Sequence, residues 1–399
     1  MRFIIPAAIV GITVAAAARA DTEYSAMIRD LGLSQTKSAL SEISNPTPSD
    51  RFALGGVHFL SVVEQALQTQ YRVGVDQEMA EMSGLPFLRL PVAQNPSPEG
   101  FYPEVIEEIF TAALADLDGA LDQLDEISDG DDVGVVINTA DLWFDINMNG
   151  TYDAGESLFE VAGGDLNRGL DTDFVPPIVR FDTSDAAWLS AYAHLLSGVS
   201  ETILAVSPSQ AIERVTTSAA VFQEMGRDER EYLMFYDEDR WLDMAAMFIH
   251  AIEGPVDVDR SRAAHTHFLG MIQDNKVFWD RVSRENDNDR EWIPNKAQDS
   301  ALPIPFPADL GDQWRNVLTE AEMMLNGELL IPHWRLPEGM GINVAAFMQN
   351  PPELDIIALI QGESILPYVE RGPEMSGQAW RSFERMVGGD AAFYAVILN

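Results

Sequence analysis

The sequence predicts a mainly α protein, in which antiparallel helical hairpins or a bundle carry one polar loop insertion and a few short C-terminal strands. Two observations favour this fold class. Apolar residues recur at intervals of three and four over long segments, which is the period of one helix face. Short links that contain glycine or proline, such as Gly254-Pro255, separate these segments and favour antiparallel packing of neighbouring helices.

The clearest amphipathic segment spans residues 103–127, where Ile109, Ala113 and Leu117 recur at helical spacing among many acidic residues. Residues 45–50 interrupt the chain before the second helix and supply its N-terminal cap. Residues 84–102, with four prolines, are predicted to be a long loop, and residues 133–138 a short link. The same spacing predicts helices over residues 24–43, 50–71, 182–206, 211–225, 231–252, 260–284 and 309–325.

The character of the chain changes after residue 286, where proline and polar turn residues become frequent. Residues 302–307 alternate with proline and cannot be helical, because proline lacks the N–H donor and clashes with the preceding turn. Short apolar runs at residues 356–360 and 393–398 are predicted to be buried strands. We therefore divide the chain into a leader (1–20), a helical domain (21–286) and a Pro-rich mixed α/β part (287–399), which can also belong to the same domain.

The first 20 residues have the pattern of a secretory signal peptide. Arg2 precedes a short apolar run, and Ala18 and Ala20 form an A-x-A cleavage site. The run stops at Arg19 and is too short for an anchor helix. We expect cleavage after Ala20 and a mature protein in the periplasm or the extracellular medium. We expect no membrane span, since no later stretch approaches the ~18 apolar residues that one requires.

The chain is strongly acidic, with 64 acidic and 25 basic residues and a formal net charge of −39. Loss of Arg2 and Arg19 with the leader makes the charge −41, which is −39 minus 2. Such a charge repels polyanions, so nucleic acids and anionic membrane surfaces are excluded as partners. The absence of cysteine excludes disulfides, thiol nucleophiles and thiolate metal sites. A chain of this length can bury enough core to be stable without cross-links.

Residues 145–156 place oxygen-bearing side chains at the spacing that a hard dication needs. Ca²⁺ takes six to eight oxygen ligands around one point, and a twelve-residue loop supplies them from positions 1, 3, 5, 7, 9 and 12. Gly150 falls at position 6, where the chain turns sharply. The six ligand positions hold Asp145, Asn147, Asn149, Thr151 (through its backbone carbonyl), Asp153 and Glu156.

This stretch resembles the EF-hand calcium-binding loop, and the loop of that type in bacterial calcium-binding modules such as dockerins. It fits the pattern D-x-[DN]-x-[DN]-G-x5-E at every fixed position, and the resemblance extends about one turn to either side. It implies that the six residues bind Ca²⁺. Position 8 departs from the family, since Tyr152 stands where an aliphatic residue is usual.

No second loop of equal quality lies at the distance of an EF-hand pair. A nearby acidic segment has its glycine, Gly169, out of register, and we interpret it as a solvated turn. The alternative is a supporting ligand role for its residues Asp165, Asn167, Asp171 and Asp173. A single loop with only three charged ligands should bind calcium with a Kd of roughly 10⁻⁴–10⁻³ M or somewhat tighter, which suits permanent occupancy at millimolar calcium.

No catalytic signature stands out. The G-x-S-x-G, H-E-x-x-H, Walker and dinucleotide-binding patterns are absent from the sequence. His265 and His267 are two residues apart on a predicted helix, so their side chains point apart and joint ligation of one metal is unfavourable. His58 is interpreted as a packing or polar-core histidine. Ser34 and Lys37 match S-x-x-K by chance, without downstream partners.

These observations favour an exported, calcium-binding helical protein with a non-enzymatic binding or scaffold role, whose partner is an unidentified protein or small molecule. One alternative is a calcium-dependent periplasmic hydrolase that uses carboxylates the sequence does not single out. A deep acidic pocket with two carboxylates about 5–9 Å apart, away from the loop, would favour it. A solute-binding protein is a further alternative, but it needs regular strand–helix alternation, which is missing before residue 286.

Overall fold

The computed structural model describes residues 23–375, except residues 76, 78–79, 81–84, 162–174, 225–241, 243–244, 247–248, 251–252, 303–305 and 307–309. The predicted signal peptide, the acidic segment around Gly169 and the predicted strand at residues 393–398 lie outside the described residues. Most of the predicted helix over residues 231–252 lies outside them as well.

The described part of the chain is mainly helical, as predicted. Its helices are α1 (Glu23–Ser41), α2 (Pro48–Val73), α3 (Val105–Leu124), α4 (Leu158–Val161), α5 (Thr183–Val206), α6 (Ser209–Glu224), α7 (Val258–Val282), α8 (Leu310–Leu325), α9 (Val344–Gln349) and α10 (Ile356–Gln361). The strands are few and short. Strands β1 (Val135–Asn138) and β2 (Ile178–Phe181) pair antiparallel, and β3 (Ile331–Pro332), β4 (Met340–Ile342) and β5 (Val369–Arg371) form an antiparallel sheet in that order.

Two local predictions are wrong. Residues 135–138 are not a link but strand β1, because they find their partner in residues 178–181, far along the chain. Residues 356–360 are not a buried strand but helix α10. The Asp355 carboxylate caps this helix by accepting hydrogen bonds from the N–H groups of Ile357 and Ala358, and Gly362 ends it in the left-handed conformation.

Capping residues fix where the two longest helices of the N-terminal half begin. Thr47 accepts a hydrogen bond from the N–H of Asp50, whose carboxylate accepts the N–H of Thr47 in return, and Pro48 opens α2. Asp182 and Asp185 form the same reciprocal box at the start of α5. Each box satisfies backbone donors that the first turn of a helix leaves free. The predicted cap in residues 45–50 is therefore confirmed.

The order of the contacts shows that neighbouring helices pack antiparallel. Gly55, near the start of α2, lies against Leu124 at the end of α3, whereas Arg72 at the end of α2 pairs with Glu108 at the start of α3. Helix α5 packs between α3 and α7. This central position of α5 brings the predicted hairpins into one helical assembly.

Helix α5 shows the same antiparallel order against α7. Ser190 donates to the Asp274 carboxylate. Glu201, about three turns further along α5, pairs with Arg260 near the start of α7. Residues beyond the predicted boundary at 286 join this core: Ile293 and Trp314 belong to the same buried cluster as Trp188 on α5.

Helix α5 is also the one described helix that is long and apolar enough to cross a membrane, with a mean hydropathy of 1.2 over its most apolar window. The sequence analysis expected no stretch after the leader to reach that limit. Within the protein, 56% of this window is buried. A core helix passes the same test of length and composition, so the finding is weak evidence for a membrane span.

An apolar cavity of about 330 Å³, partly open to the surface, lies between α1, α2, α5 and the β1–β2 pair. Protein interiors pack densely by default, so open apolar space of this size differs from the tight helix contacts around it.

Two adjacent glycines of α2 test this contrast between dense packing and open space. A Cβ at Gly55 would lie 3.1 Å from Leu124 Cγ, whereas a Cβ at Gly56 would meet only Leu189 Cδ2 at 4.0 Å. We expect Gly55→Ala to lower the free energy of unfolding by about 1–3 kcal/mol. Gly56→Ala should raise it by about 0.5–1 kcal/mol, because alanine favours the helix. Urea unfolding of both variants measures the difference, and equal effects would contradict the packing described here.

Candidate metal centre

The loop predicted from the sequence, residues 145–156, follows β1 and a 3-10 turn and leads into α4. Backbone hydrogen bonds close its two ends. The N–H of Phe144 donates to the carbonyl of Glu156 (2.8 Å), and the N–H of Leu158 donates to the carbonyl of Leu142 (3.0 Å). Trp143 and Ser157 form an antiparallel bridge between these bonds. The closure brings the first and twelfth residues of the loop together.

Inside the loop, the chain reverses through residues with positive φ. Met148 has φ of 60° and Gly150 has φ of 75°. No atom outside the immediate neighbours lies within 4 Å of the position that a Cβ on Gly150 would take. Glycine is therefore favoured at position 6 by the left-handed backbone and not by crowding.

The carboxylates at the two ends of the loop both turn towards its backbone N–H groups. Asp145 accepts from the N–H of Asn149 and of Gly150, each at 3.0 Å. Glu156 accepts from the N–H of Ile146 at 3.0 Å through one oxygen and from Asp153 at 2.8 Å through the other. The loop is thereby wrapped around its own acidic side chains.

The remaining predicted ligands join the same network. The side-chain amides of Asn147 and Asn149 donate to Asp153 Oδ2, at 2.9 and 2.6 Å. Thr151 donates its N–H (2.8 Å) and its hydroxyl (2.6 Å) to Asn149 Oδ1. The side chains of Asn147, Asn149 and Asp153 therefore contact one another, and Thr151 contacts Asn149. The carboxylate oxygens of Asp145, Asp153 and Glu156 do not all lie within 4.8 Å of one another.

The electrostatics of the loop are dominated by carboxylates. Glu156 is only 4% exposed, and its pKa is raised chiefly by burial, with repulsion from Asp145 as a further cause. Hydrogen bonds from the amides of Asn147 and Asn149 lower the pKa of Asp153. Carboxylate and amide oxygens at this density are the donors that a hard dication such as Ca²⁺ prefers.

Two residues of α2 that the sequence analysis did not assign to the site hold the loop in place. Glu64 accepts the N–H of Asp145 at 2.9 Å, and the side-chain amide of Gln68 donates to the Asp145 carbonyl at 2.8 Å. Glu64 is 5% exposed, and burial raises its pKa to about 7. The sequence feature that could have revealed this contact is Glu64, a carboxylate on an otherwise apolar helix face, with Gln68 four residues later on the same side.

The departure from the family at position 8 has a structural counterpart. Tyr152 is largely exposed, and its ring meets Trp143 edge-on, with centroids 5.9 Å apart. Trp143 in turn donates its indole N–H to the Ile28 carbonyl of α1 at 2.9 Å. Position 8 therefore contacts the flank of its own loop, and that flank is anchored to α1.

A separate carboxylate cluster lies at the start of α5. Asp182, Glu285 and Glu291 are the one group of three metal-ligating side chains in the described residues whose ligand atoms all lie within 4.8 Å of one another. Glu285 already accepts from Ser184 and Gln298, and Glu291 from a backbone N–H. These carboxylates are closer together than the roughly 5–9 Å of a glycosidase pair. We assign no cation to them.

The histidines behave partly as predicted. His265 is buried against the Leu325 carbonyl, and His267 points elsewhere, so the two diverge as expected of their spacing. His58 contacts the Asp116 carboxylate at 2.7 Å, which fits a polar-core histidine. The sequence missed the approach of His194 and His267, whose Nδ1 atoms lie 2.9 Å apart. This contact depends on the packing of α5 on α7.

No family model matches the chain, and neither the curated proteins nor the solved structures contain a significant match to it. The interpretation of the loop therefore depends on its own residues and on the hydrogen bonds that shape it.

The carboxylate cluster predicts a pH dependence of stability. Burial is the largest cause that raises the pKa values of Asp182 and Asp185, and that of Asp185 rises well above 3.8. A carboxyl whose pKa is higher in the folded state stabilises the fold at low pH and loses that contribution as pH rises through the folded pKa. Asp185→Asn keeps an acceptor oxygen and removes the charge.

We therefore expect Asp185→Asn to raise the free energy of unfolding at pH 8, by on the order of 1–3 kcal/mol, and to change it little at pH 4. Urea unfolding at the two pH values measures this, with the exposed Asp122→Asn as the matched control. Destabilisation by Asp185→Asn at pH 8 would mean that the buried charge has a favourable partner.

Proposed function

We propose that this protein is an exported, calcium-stabilised helical protein with a non-enzymatic binding role. One Ca²⁺ binds in the loop of residues 145–156 and has a structural task. The observation that carries this proposal is the closure of the loop by backbone hydrogen bonds, which brings positions 1 and 12 near enough for Asp145 to raise the pKa of Glu156. The predicted signal peptide supports the exported location, where calcium is abundant.

Because the loop is anchored to α2, calcium binding would stabilise the helical core as well as the loop. Glu64 and Gln68 tie the first loop residue to α2, the helix that also packs on α1 and α3. A cation bound by Asp145, Asp153 and Glu156 would relieve the repulsion of Asp145 with the buried Glu156 and Glu64. The free energy of binding then adds to the free energy of unfolding, because the unfolded chain has no such site.

A calcium-dependent hydrolase is the second hypothesis. It requires two carboxylates in an acidic cleft away from the loop. The cavity between α1, α2 and α5 is lined by uncharged residues, and the carboxylate cluster around Asp182 is tightly packed. Neither feature supplies the acidic cleft that would favour this hypothesis over a binding role.

Calcium titration of the mature protein tests the proposal. Calorimetry should give one site per chain with a Kd of roughly 10⁻⁴–10⁻³ M or somewhat tighter. At calcium tenfold above Kd, binding should add about 1.4 kcal/mol to the free energy of unfolding. For cooperative unfolding of a chain this long, that corresponds to a rise in Tm of about 2 °C over the sample with chelator.

Two variants locate the site. Asp145→Ala and Glu156→Gln should each weaken binding roughly tenfold or more, because each removes one of three charged ligands. Asp122→Asn removes an exposed carboxylate of α3 and should leave the titration unchanged. If the unaltered protein gives neither heat nor a Tm shift with calcium, the loop is a surface turn and the proposal fails.

A further inference from the structure

The cavity beside α2 is lined by residues that follow one side of that helix. Its wall includes a continuous stripe of α2 at helical spacing, comprising Phe52, Gly56, Phe59, Leu60 and Val63. At one end, Phe52 packs against Phe181, which in turn packs against Trp292. The other end lies near Val63 and Leu90. The space thus follows about three turns of α2.

The dimensions of the cavity select a linear occupant. From Phe52 to Val63 the helix rises about 16 Å at 1.5 Å per residue. A volume of about 330 Å³ spread along that length favours an extended hydrocarbon chain over a compact ring system. The volume is about twice that of a ~150 Å³ apolar cavity that takes one benzene, so it has room for on the order of a dozen carbon atoms.

The polarity of the wall selects an uncharged occupant. Every lining residue that the structure describes is uncharged. Tyr192 is among them, and burial raises its pKa to about 12. Among the described lining residues there is no cationic side chain to receive a carboxylate or phosphate, and the net charge of −39 repels such groups.

Two buried polar groups of the wall have no hydrogen-bond partner among the described residues: the Thr36 hydroxyl and the Trp292 indole N–H. Thr36 is fully buried. Buried donors without partners are rare because their desolvation is not compensated. A hydroxyl or ester oxygen on a ligand supplies an acceptor for such a donor, whereas a pure alkane supplies none.

We propose that this cavity binds a single linear aliphatic chain of about a dozen carbons with an uncharged polar end, such as a long-chain alcohol or acyl ester. The proposal names the ligand class for the binding role given above and does not depend on calcium. The flanks of the loop contribute five residues to the wall, Leu142, Phe144, Leu158, Phe159 and Val161, and the rest of the wall comes from other elements, among them the α2 stripe and the β1–β2 pair.

Binding of matched ten-carbon probes to the mature protein tests the proposal. 1-Decanol is linear and neutral, 1-adamantanol has the same number of carbons and one hydroxyl in a compact shape, and decanoate is linear but charged. Calorimetry and the fluorescence of Trp188 and Trp292, which line the cavity, report binding. We expect a roughly micromolar Kd for 1-decanol, and at least tenfold weaker binding of the other two probes.

Gly56 offers the variant that fills the cavity. Because a Cβ there has only one neighbour, at 4.0 Å, the larger side chain of Gly56→Leu should project into the cavity and weaken 1-decanol binding at least tenfold. Gly56→Ala, at the same position, should retain binding within about threefold. Leu60→Phe, which also reduces the volume, replaces Gly56→Leu if that variant does not fold.

The outcomes separate the two proposals. Asp145→Ala, which alters no lining residue, should lose calcium binding and keep 1-decanol binding, whereas Gly56→Leu should do the reverse. Failure of the folded, calcium-saturated protein to bind 1-decanol would overturn the cavity proposal and leave the calcium site standing. Equal affinity for 1-decanol and 1-adamantanol would overturn the linear shape, and preference for decanoate would overturn the neutral end.

Discussion

The burial of the Glu64 carboxylate against the backbone N–H of Asp145 joins the loop to the helical core, and the arrangement of both depends on it. A carboxylate that is 5% exposed is costly unless it is hydrogen-bonded or neutral, and its pKa of about 7 reflects that cost. The contact is tolerated because Gln68, one turn later, fixes the same loop residue through its carbonyl. Helix α2 thus positions the first ligand of the proposed calcium site while its neighbouring face lines the cavity.

Repulsion between carboxylates affects several parts of the molecule. The chain carries a net charge of −39, and several of its carboxylates are buried next to one another, at the loop and at the start of α5. The two sites relieve this repulsion differently. At the loop, backbone and side-chain amides donate to the carboxylates, whereas at Asp182 and Asp185 the carboxylates serve as helix caps and are relieved by protonation. Acid should relieve both places, since the pKa values of Glu64 and Glu156 are raised as well, whereas calcium is proposed to act at the loop alone.

The long helices pack tightly against one another, in contrast to the open space of the cavity. A Cβ on Gly198 would lie 2.6 Å from the ring of Phe268, and one on Gly270 would lie 2.9 Å from His194, so α5 and α7 approach as closely as glycine permits. The same holds for Gly55 of α2 against Leu124 of α3. Space remains only on the adjacent side of α2, at Gly56, among the glycines of these helix contacts. Interiors pack densely by default, so an apolar cavity beside such tight contacts is consistent with a site kept for a ligand.

The sequence by itself determined what local spacing encodes: the helical segments, the cap of α2, and the turn and donor set of residues 145–156. These features are specified by residues within one or two turns of each other. Only the tertiary structure decided the strand pairing of residues 135–138, the contact of Glu64 with the loop and the cavity, because each joins segments far apart in the chain. The strand predicted at residues 356–360 was wrong for a different reason. This apolar run of five residues has no clear period, and the caps at Asp355 and Gly362 make it a helix, α10. Periodicity reveals which face of a helix is buried, but packing alone determines what it is buried against.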